Sequence, residues 1–280
     1  MDSSLASAAL GLTTAATWGA GDFCGGLAAK RASVYGVVIG AHAAGAVLFL
    51  GLALGSREAP PPLANLAACG AAGLFGSLGL LALYRALATG HMGIAAPVSG
   101  VLSAAVPVGA GALLEGGPGG FRLTGFVLAA IAVWLVSRTV DGVFRVRDLG
   151  LPAAAGFGFG LFIVIIGHAS ASGVFWPLVA ARIASLSALT LVALFSRQSL
   201  LPARHQLPLV AVAGLFDGSG NAFLVLAAHA GRLDVAGVLA SLYPAITVLL
   251  ACVFLHERIS RWQLAGLVLA LSAIVIITQP

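Results

Sequence analysis

The sequence predicts an all-α membrane protein of ten transmembrane helices arranged as two inverted five-helix repeats. Three observations carry that reading: a composition that only lipid solvates, apolar runs of membrane length, and a repetition of one half by the other. Hydrophobic residues make up 60% of the 280, charged residues 8%, and the mean hydropathy is +1.07. A water-soluble domain carries about 25% charged residues, so the solvent here is the bilayer. The net charge of +5 comes from single basic residues between apolar runs, which is a topology signal and gives no reason to expect nucleic acid.

The clearest local pattern lies near the C-terminal end. An apolar run from Val238 to Phe254 is followed by a charged turn holding His256, Glu257, Arg258 and Arg261, and a second apolar run starts at Leu264. Two membrane helices joined by a tight turn explain it. The first half says nearly the same 141 positions earlier: Gly73, Leu74, Phe75, Gly79 and Leu83 recur as Gly214, Leu215, Phe216, Gly220 and Leu224. Leu123, Gly125 and Val127 likewise recur as Leu264, Gly266 and Val268. The chain is therefore read as a tandem duplication with a first unit over 1–144 and a second over 145–280.

Taken in order, charges, prolines and glycine-rich turns delimit ten spans. Leu5–Ala28 ends before Lys30 and Arg31, Tyr35–Leu54 ends before Arg57, and Leu66–Tyr84 starts after a proline run and ends at Arg85. Ile94–Leu114 stops at Glu115, and Gly125–Val140 runs from the repeat marker to Asp141. Pro152–Ile166, Trp176–Phe195, Leu209–Ala228, Val235–Leu255 and Leu264–Ile277 complete the second unit. At about 20 residues per crossing the helices consume nearly the whole chain, leaving no room for a soluble domain. The start Met1-Asp2-Ser3-Ser4 lacks the basic region of a cleaved signal peptide, so the first run is expected to stay. Abundant glycine, 37 residues, fits closely packed membrane helices. Five crossings per copy mean that the second copy enters from the opposite side, an architecture of secondary transporters whose site lies between the copies.

Several segments resemble the EamA repeat of the drug/metabolite transporter superfamily: Leu242 to Thr247 (Leu-Tyr-Pro-Ala-Ile-Thr), the His256 to Ile259 turn, Gln263 to Gly266, and the opening Thr17 to Phe23 with its Trp-Gly pair. The first copy departs from the pattern at Glu115-Gly-Gly-Pro, and Phe157-Gly158 stands where the second copy would carry Trp-Gly. The resemblance extends over both copies and implies a ten-helix carrier of the bacterial inner membrane. Its nearest type is the YddG-like amino-acid exporters. It thus implies a small-molecule substrate, an amino acid or similar zwitterion, moved outward by alternating access; the sequence leaves the oligomeric state open, a monomer being plausible.

Polar groups inside lipid-length helices are costly and tend to face cavities, so they are the site candidates. Asp217, mid-span with Asn221 one turn on, is read either as the partner of a substrate ammonium or coupling proton, or as an interhelical packing group. Asp22 shares a face with Trp18 and stands nearer its helix end, where a solvated structural role is expected. Trp18, Tyr84, Phe157, Phe159, Phe162, Trp176 and Tyr243 are candidate pocket walls or plain packing, with Phe157 placed as the repeat counterpart of Trp18. Ser99, Ser103 and Pro107 follow at helical spacing with Pro97 close by, and Pro244 stands in the ninth span; these mark either a helix break beside a cavity or close packing. The substrate-binding set is therefore Trp18, Asp22, Tyr84, Ser99, Phe157, Asp217, Asn221 and Tyr243. Spans 1, 3, 4, 6, 8 and 9 are expected to form the pocket, with spans 5 and 10 outside it.

No paired-histidine motif or acidic cluster appears, so neither metal nor cofactor is expected. Of the histidines only His42 is mid-span. An enzyme would need convergent acids and bases, and a fixed channel would have no use for an inverted duplication, so both are minor alternatives. A phosphate carrier would gather Lys and Arg in the bundle, where only Arg85 and Arg182 stand. Basic residues concentrate on the connections that hold Lys30, Arg31, Arg85, Arg197 and Arg204. Counting them puts both termini outside the cytoplasm, whereas the family resemblance implies cytoplasmic termini.

Overall fold

The computed structural model describes residues 3–89, 92–115, 124–125, 127–128, 131–132, 135, 149–230, 233–257 and 259–277. Helices make up all the regular structure among them. They are α1 (Ser3–Ala29), α2 (Val34–Ser56), α3 (Leu63–Thr89), α4 (Met92–Glu115), α5 (Gly150–Ala169), α6 (Phe175–Phe195), α7 (Leu207–Ala230), α8 (Leu233–Ala240), α9 (Tyr243–Leu255) and α10 (Arg261–Ile277). The segments Val34–Ser56, Leu63–Thr89, Gly150–Ala169, Phe175–Phe195 and Arg204–Ala230 are long and apolar enough to cross a membrane. Shorter apolar helices accompany them, and the chain is a multi-pass membrane protein. The expected fifth span, Gly125–Val140, lies mostly outside the described residues, as do the Gly116–Pro118 turn, His91, Arg122, Arg138, Arg145, Arg147, Arg232 and Arg258.

Proline behaves differently in two places. Helix α4 continues through Pro97 and Pro107, whereas the ninth expected span breaks into α8 and α9, with Ser241 and Leu242 as the turn and Pro244 in the first turn of α9. Pro244 cannot donate a backbone hydrogen bond, and its ring collides with the preceding turn of a continuous helix. The backbone is re-satisfied locally: the Ser241 amide donates to the Gly237 carbonyl at 2.9 Å, and the Ser241 hydroxyl donates to the same oxygen at 2.8 Å. In a bilayer no water is present to take such groups, so this closure is required.

Packing relations of one half recur in the other with the partners exchanged. Gly73 of α3 lies against the backbone of Ala181 on α6, and Gly214 of α7 lies against the backbone of Ala41 on α2. Gly79 of α3 carries the ring of Phe159, and Gly220 of α7 carries the ring of Trp18. Gly76 faces Phe162, and Gly21 faces Asp217. These positions map onto one another at a shift of 141, or of 140 for Ala41 and Ala181, with Phe159, Phe162 and Asp217 standing opposite Trp18, Gly21 and Gly76. Even the helix ends follow: α2 stops on Arg57 at φ 55° and α6 is followed by Arg197 at φ 52°.

Charged groups tie the ends of the bundle. Lys30, after α1, stands 3.8 Å from Glu257, after α9. At the opposite end Glu58 accepts hydrogen bonds from the amides of Val174 (2.9 Å) and Phe175 (3.1 Å), capping the start of α6. An anion is favoured there by the helix dipole as well as by the free N–H groups.

A side chain at Gly73 or Gly214 would overlap the facing alanine carbonyl. Gly73→Ala and Gly214→Ala should each lower stability by about 1–3 kcal/mol through overpacking. Gly51→Ala, with nothing within 4 Å, should gain about 0.5–1 kcal/mol of helix propensity. Thermal unfolding of the purified variants in one detergent measures both.

Candidate substrate cavity

Between the halves lies a cavity of about 580 Å³, its open part included. Its walls come from α1 (Trp18, Asp22), α2 (His42), α3 (Gly73, Gly76, Ser77, Leu80), α5 (Phe159, Phe162), α6 (Leu178, Ala181, Arg182), α7 (Asp217, Asn221) and α9 (Tyr243). Small residues on α3 and α6 open the space, while aromatic rings bound it.

Tyr243 is the centre of the aromatic wall. The ring of Trp18 meets it edge to face at 6.2 Å and 85°, and that of Phe159 does the same from the other half at 6.3 Å and 89°. Such T-shaped pairs add about 0.5–1.5 kcal/mol beyond area burial. The Ser99 hydroxyl donates to the Ala96 carbonyl at 2.9 Å, so the contact of 2.7 Å between Ser99 Oγ and Tyr243 Oη has the phenol as donor. On the opposite wall the Trp18 indole N–H donates to Asn221 Oδ1 at 3.1 Å. The aromatic set is thus fixed by one hydrogen bond from each half.

The charged wall is built on Arg182. Its Nη2 donates to Asp217 Oδ2 in an ion pair, with the arginine side chain 7% and the aspartate 16% exposed. The guanidinium also lies over the Phe49 ring at 5.6 Å, and its Nε fills the notch left by Gly45 on α2. Beside it the Ser185 hydroxyl donates to the Arg182 carbonyl at 3.0 Å, so the 2.8 Å contact of His42 Nδ1 with Ser185 has the imidazole N–H as donor. Under the 140-residue shift His42 and Arg182 are equivalents, as are Gly45 and Ser185. Asp22, 6% exposed, also faces the cavity, within electrostatic reach of Asp217.

Residues 149–279 match the model of the EamA-like transporter family. The second half is thus similar to an EamA-like transporter domain. A solved crystal structure superposes on 97% of this chain and 96% of its own at a TM-score of 0.70 and 16% identity. That likeness establishes a shared fold over both halves and nothing of substrate. The comparison with curated proteins found no match. The family matched over this half is one of transporters, and the cavity brings the matched α5, α6, α7 and α9 against helices of the first half.

Five of the sequence-derived candidates, Trp18, Asp22, Asp217, Asn221 and Tyr243, meet at the cavity. Three do not. Phe157 is 54% exposed and points away from it. The repeat shift of 141 equates Trp18 with Phe159, and a register two residues off turns a helical side chain by about 200°, to the opposite face. Tyr84 is fully buried behind the wall, its ring on Gly25 and its hydroxyl donating to the Gly21 carbonyl at 3.2 Å. Ser99 sits one layer back as the support of Tyr243. Asp22 also departs from the solvated role expected of it, because α1 carries it past the cavity well before its end. Span 4 lies behind the wall, and spans 2 and 7 supply His42 and Arg182 instead. A correct repeat register would have linked those two, since both are mid-span and polar.

Arg182→Gln and Asp217→Asn should each destabilise by about 1–3 kcal/mol, because each leaves a cavity-wall charge unpaired. The double variant should recover most of that loss. A thermal-unfolding double-mutant cycle measures the coupling.

Proposed function

We infer that the protein is a secondary transporter that exports small amine-bearing metabolites, amino acids foremost, across the bacterial inner membrane by alternating access. In this reading residues 1–144 and 145–280 are inverted five-helix repeats. One observation carries it: the contacts between the halves repeat each other, while those within each half differ, most of all at one pair. Helices α1 and α3 meet where Tyr84 covers Gly25 and bonds to Gly21. Helices α5 and α7, the pair at the equivalent positions, barely touch. An inverted duplication held in a single state must break its symmetry in this way, and exchanging the two pairings moves access from one side to the other.

The wall chemistry supports the substrate class. Trp18, Phe159, Phe162 and Tyr243 suit an apolar or aromatic side chain, while Asp22, Arg182 and Asp217 suit an ammonium and a carboxylate. Against phosphorylated cargo stands the lining itself, where two carboxylates accompany a single arginine already paired to one of them. The same imbalance favours organic cations as the second reading.

The test is reconstitution into liposomes with labelled amino acids, organic cations and nucleotides, with and without a pH gradient. Amine-bearing solutes should cross and nucleotides should not; flux of nucleotides alone, or chemical conversion without flux, overturns the reading. Asp217→Asn should cut amino-acid flux at least severalfold in protein that still elutes as a folded species. Unchanged flux removes Asp217 from the mechanism.

A further inference from the structure

Asp22 is the anomaly of the cavity. Among the described residues Asp217 has Arg182 and Asn221 has the Trp18 indole, but no hydrogen bond or ion pair reaches the Asp22 carboxylate. It is more than nine-tenths buried, faces the empty space, and shares a helix face with Trp18 one turn earlier. A carboxylate removed from water costs several kcal/mol unless it is paired. Retaining one with no protein partner in a cavity makes sense where the partner arrives from outside.

We propose that Asp22 is the anchor for the substrate's ammonium group, and that the Arg182–Asp217 pair is a separate unit that receives a carboxylate when the substrate carries one. The proposal rests on the transport reading above and assigns the ends of the cargo. Asp217 cannot serve as the primary ammonium partner while Arg182 holds it. Arg182 has five N–H donors and spends one described hydrogen bond on Asp217, leaving donors for a second carboxylate. Cargo lying between the two would place its body against Trp18, Tyr243 and Phe159, where an ammonium near Asp22 also gains from the ring faces. His42 is turned onto Ser185 and stands outside this division.

Three probes separate the ends: phenylalanine, its decarboxylated amine phenethylamine, and its deaminated acid 3-phenylpropionate. Binding is read as ligand-induced thermal stabilisation and as a titrated Kd of the full chain in detergent. Wild type should bind phenylalanine and phenethylamine, and bind the acid weakly. Asp22→Asn should weaken both amines about 10- to 100-fold, the worth of a charged hydrogen bond. Its empty form should melt no lower than wild type, since an unpaired buried carboxyl has been removed. Asp22→Glu, which keeps the charge, should retain amine binding within a few-fold. Arg182→Gln should spare phenethylamine and lose the affinity that the carboxylate adds to phenylalanine. Asp217→Asn frees Arg182 and should strengthen 3-phenylpropionate. Amine binding that survives Asp22→Asn overturns the assignment and leaves the transport reading standing. A wild-type chain that binds none of the three overturns both, and one that binds the acid alone overturns the ammonium anchor and the amine class together.

Discussion

The architecture depends on how closely four helices approach at two points, where Gly73 lies on the Ala181 backbone and Gly214 on the Ala41 backbone. In lipid there is no hydrophobic force drawing one helix to another, because the tails are as apolar as leucine. Cohesion comes from dispersion across surfaces that fit, so backbones must come near. Glycine on α3 and α7 permits that against α6 and α2. Two tight crossings hold α2, α3, α6 and α7 together at backbone range, and the larger side chains of α1, α5 and α9 cannot then fill what remains between them. The cavity follows from this close packing.

Into that cavity the sequence places charge, and the low dielectric makes placement decisive. Arg182 is held from three sides by Asp217, the Phe49 ring and the Gly45 notch. An arginine so constrained is preorganised, and its side-chain entropy is lost on folding, before any ligand arrives. At positions equivalent under the 140-residue shift, the first half carries His42 and the second Arg182. Equivalent positions keep the backbone contact, a polar group of α6 or α2 against the small residue opposite, while the side chains diverge in charge. Symmetry then governs the fold and asymmetry governs the ligand.

How much was legible in the sequence follows the same division. Apolar solvent, the boundaries of most described helices to within a few residues, and the 141-residue recurrence are carried by composition and pattern, which local physics writes directly into the chain; the break in the ninth span is not. The cavity needed rotational register as well. Phe157 and Phe159 are indistinguishable by hydropathy, yet one is half exposed on the outside and the other stacks on Tyr243. Tyr84 and Tyr243 are both fully buried tyrosines, and what separates them is a glycine on a helix distant in sequence: Gly25 leaves a socket that takes the Tyr84 ring out of the cavity. Arg182 reads as an isolated charge in a span, and its partner Asp217 lies on a different helix, a pairing that periodicity within either helix does not contain.

Proline shows why such a site settles where it does. Pro97 and Pro107 leave α4 continuous, and α4 stands behind the wall. Pro244 interrupts the ninth span, and the residue before it is Tyr243, the ring on which both halves stack. The break frees backbone groups that must be answered within the protein. One turn on, Thr247 shares its hydroxyl hydrogen between the carbonyls of Gly19 on α1 (3.2 Å) and of Tyr243 (3.3 Å). Gly100 on α4 leaves the room that the Pro244 ring occupies. The turn is therefore tied to α1 through Thr247 and to α4 through Gly100 and Ser99, which is the hydroxyl that takes the Tyr243 phenol. The ring at the centre of the cavity therefore sits on the first residue of α9, directly after the turn that interrupts the ninth span and links α1 to α4. On the proposed transport reading, contact with cargo and movement of the halves meet at that residue through covalent proximity, with no longer path needed to connect them.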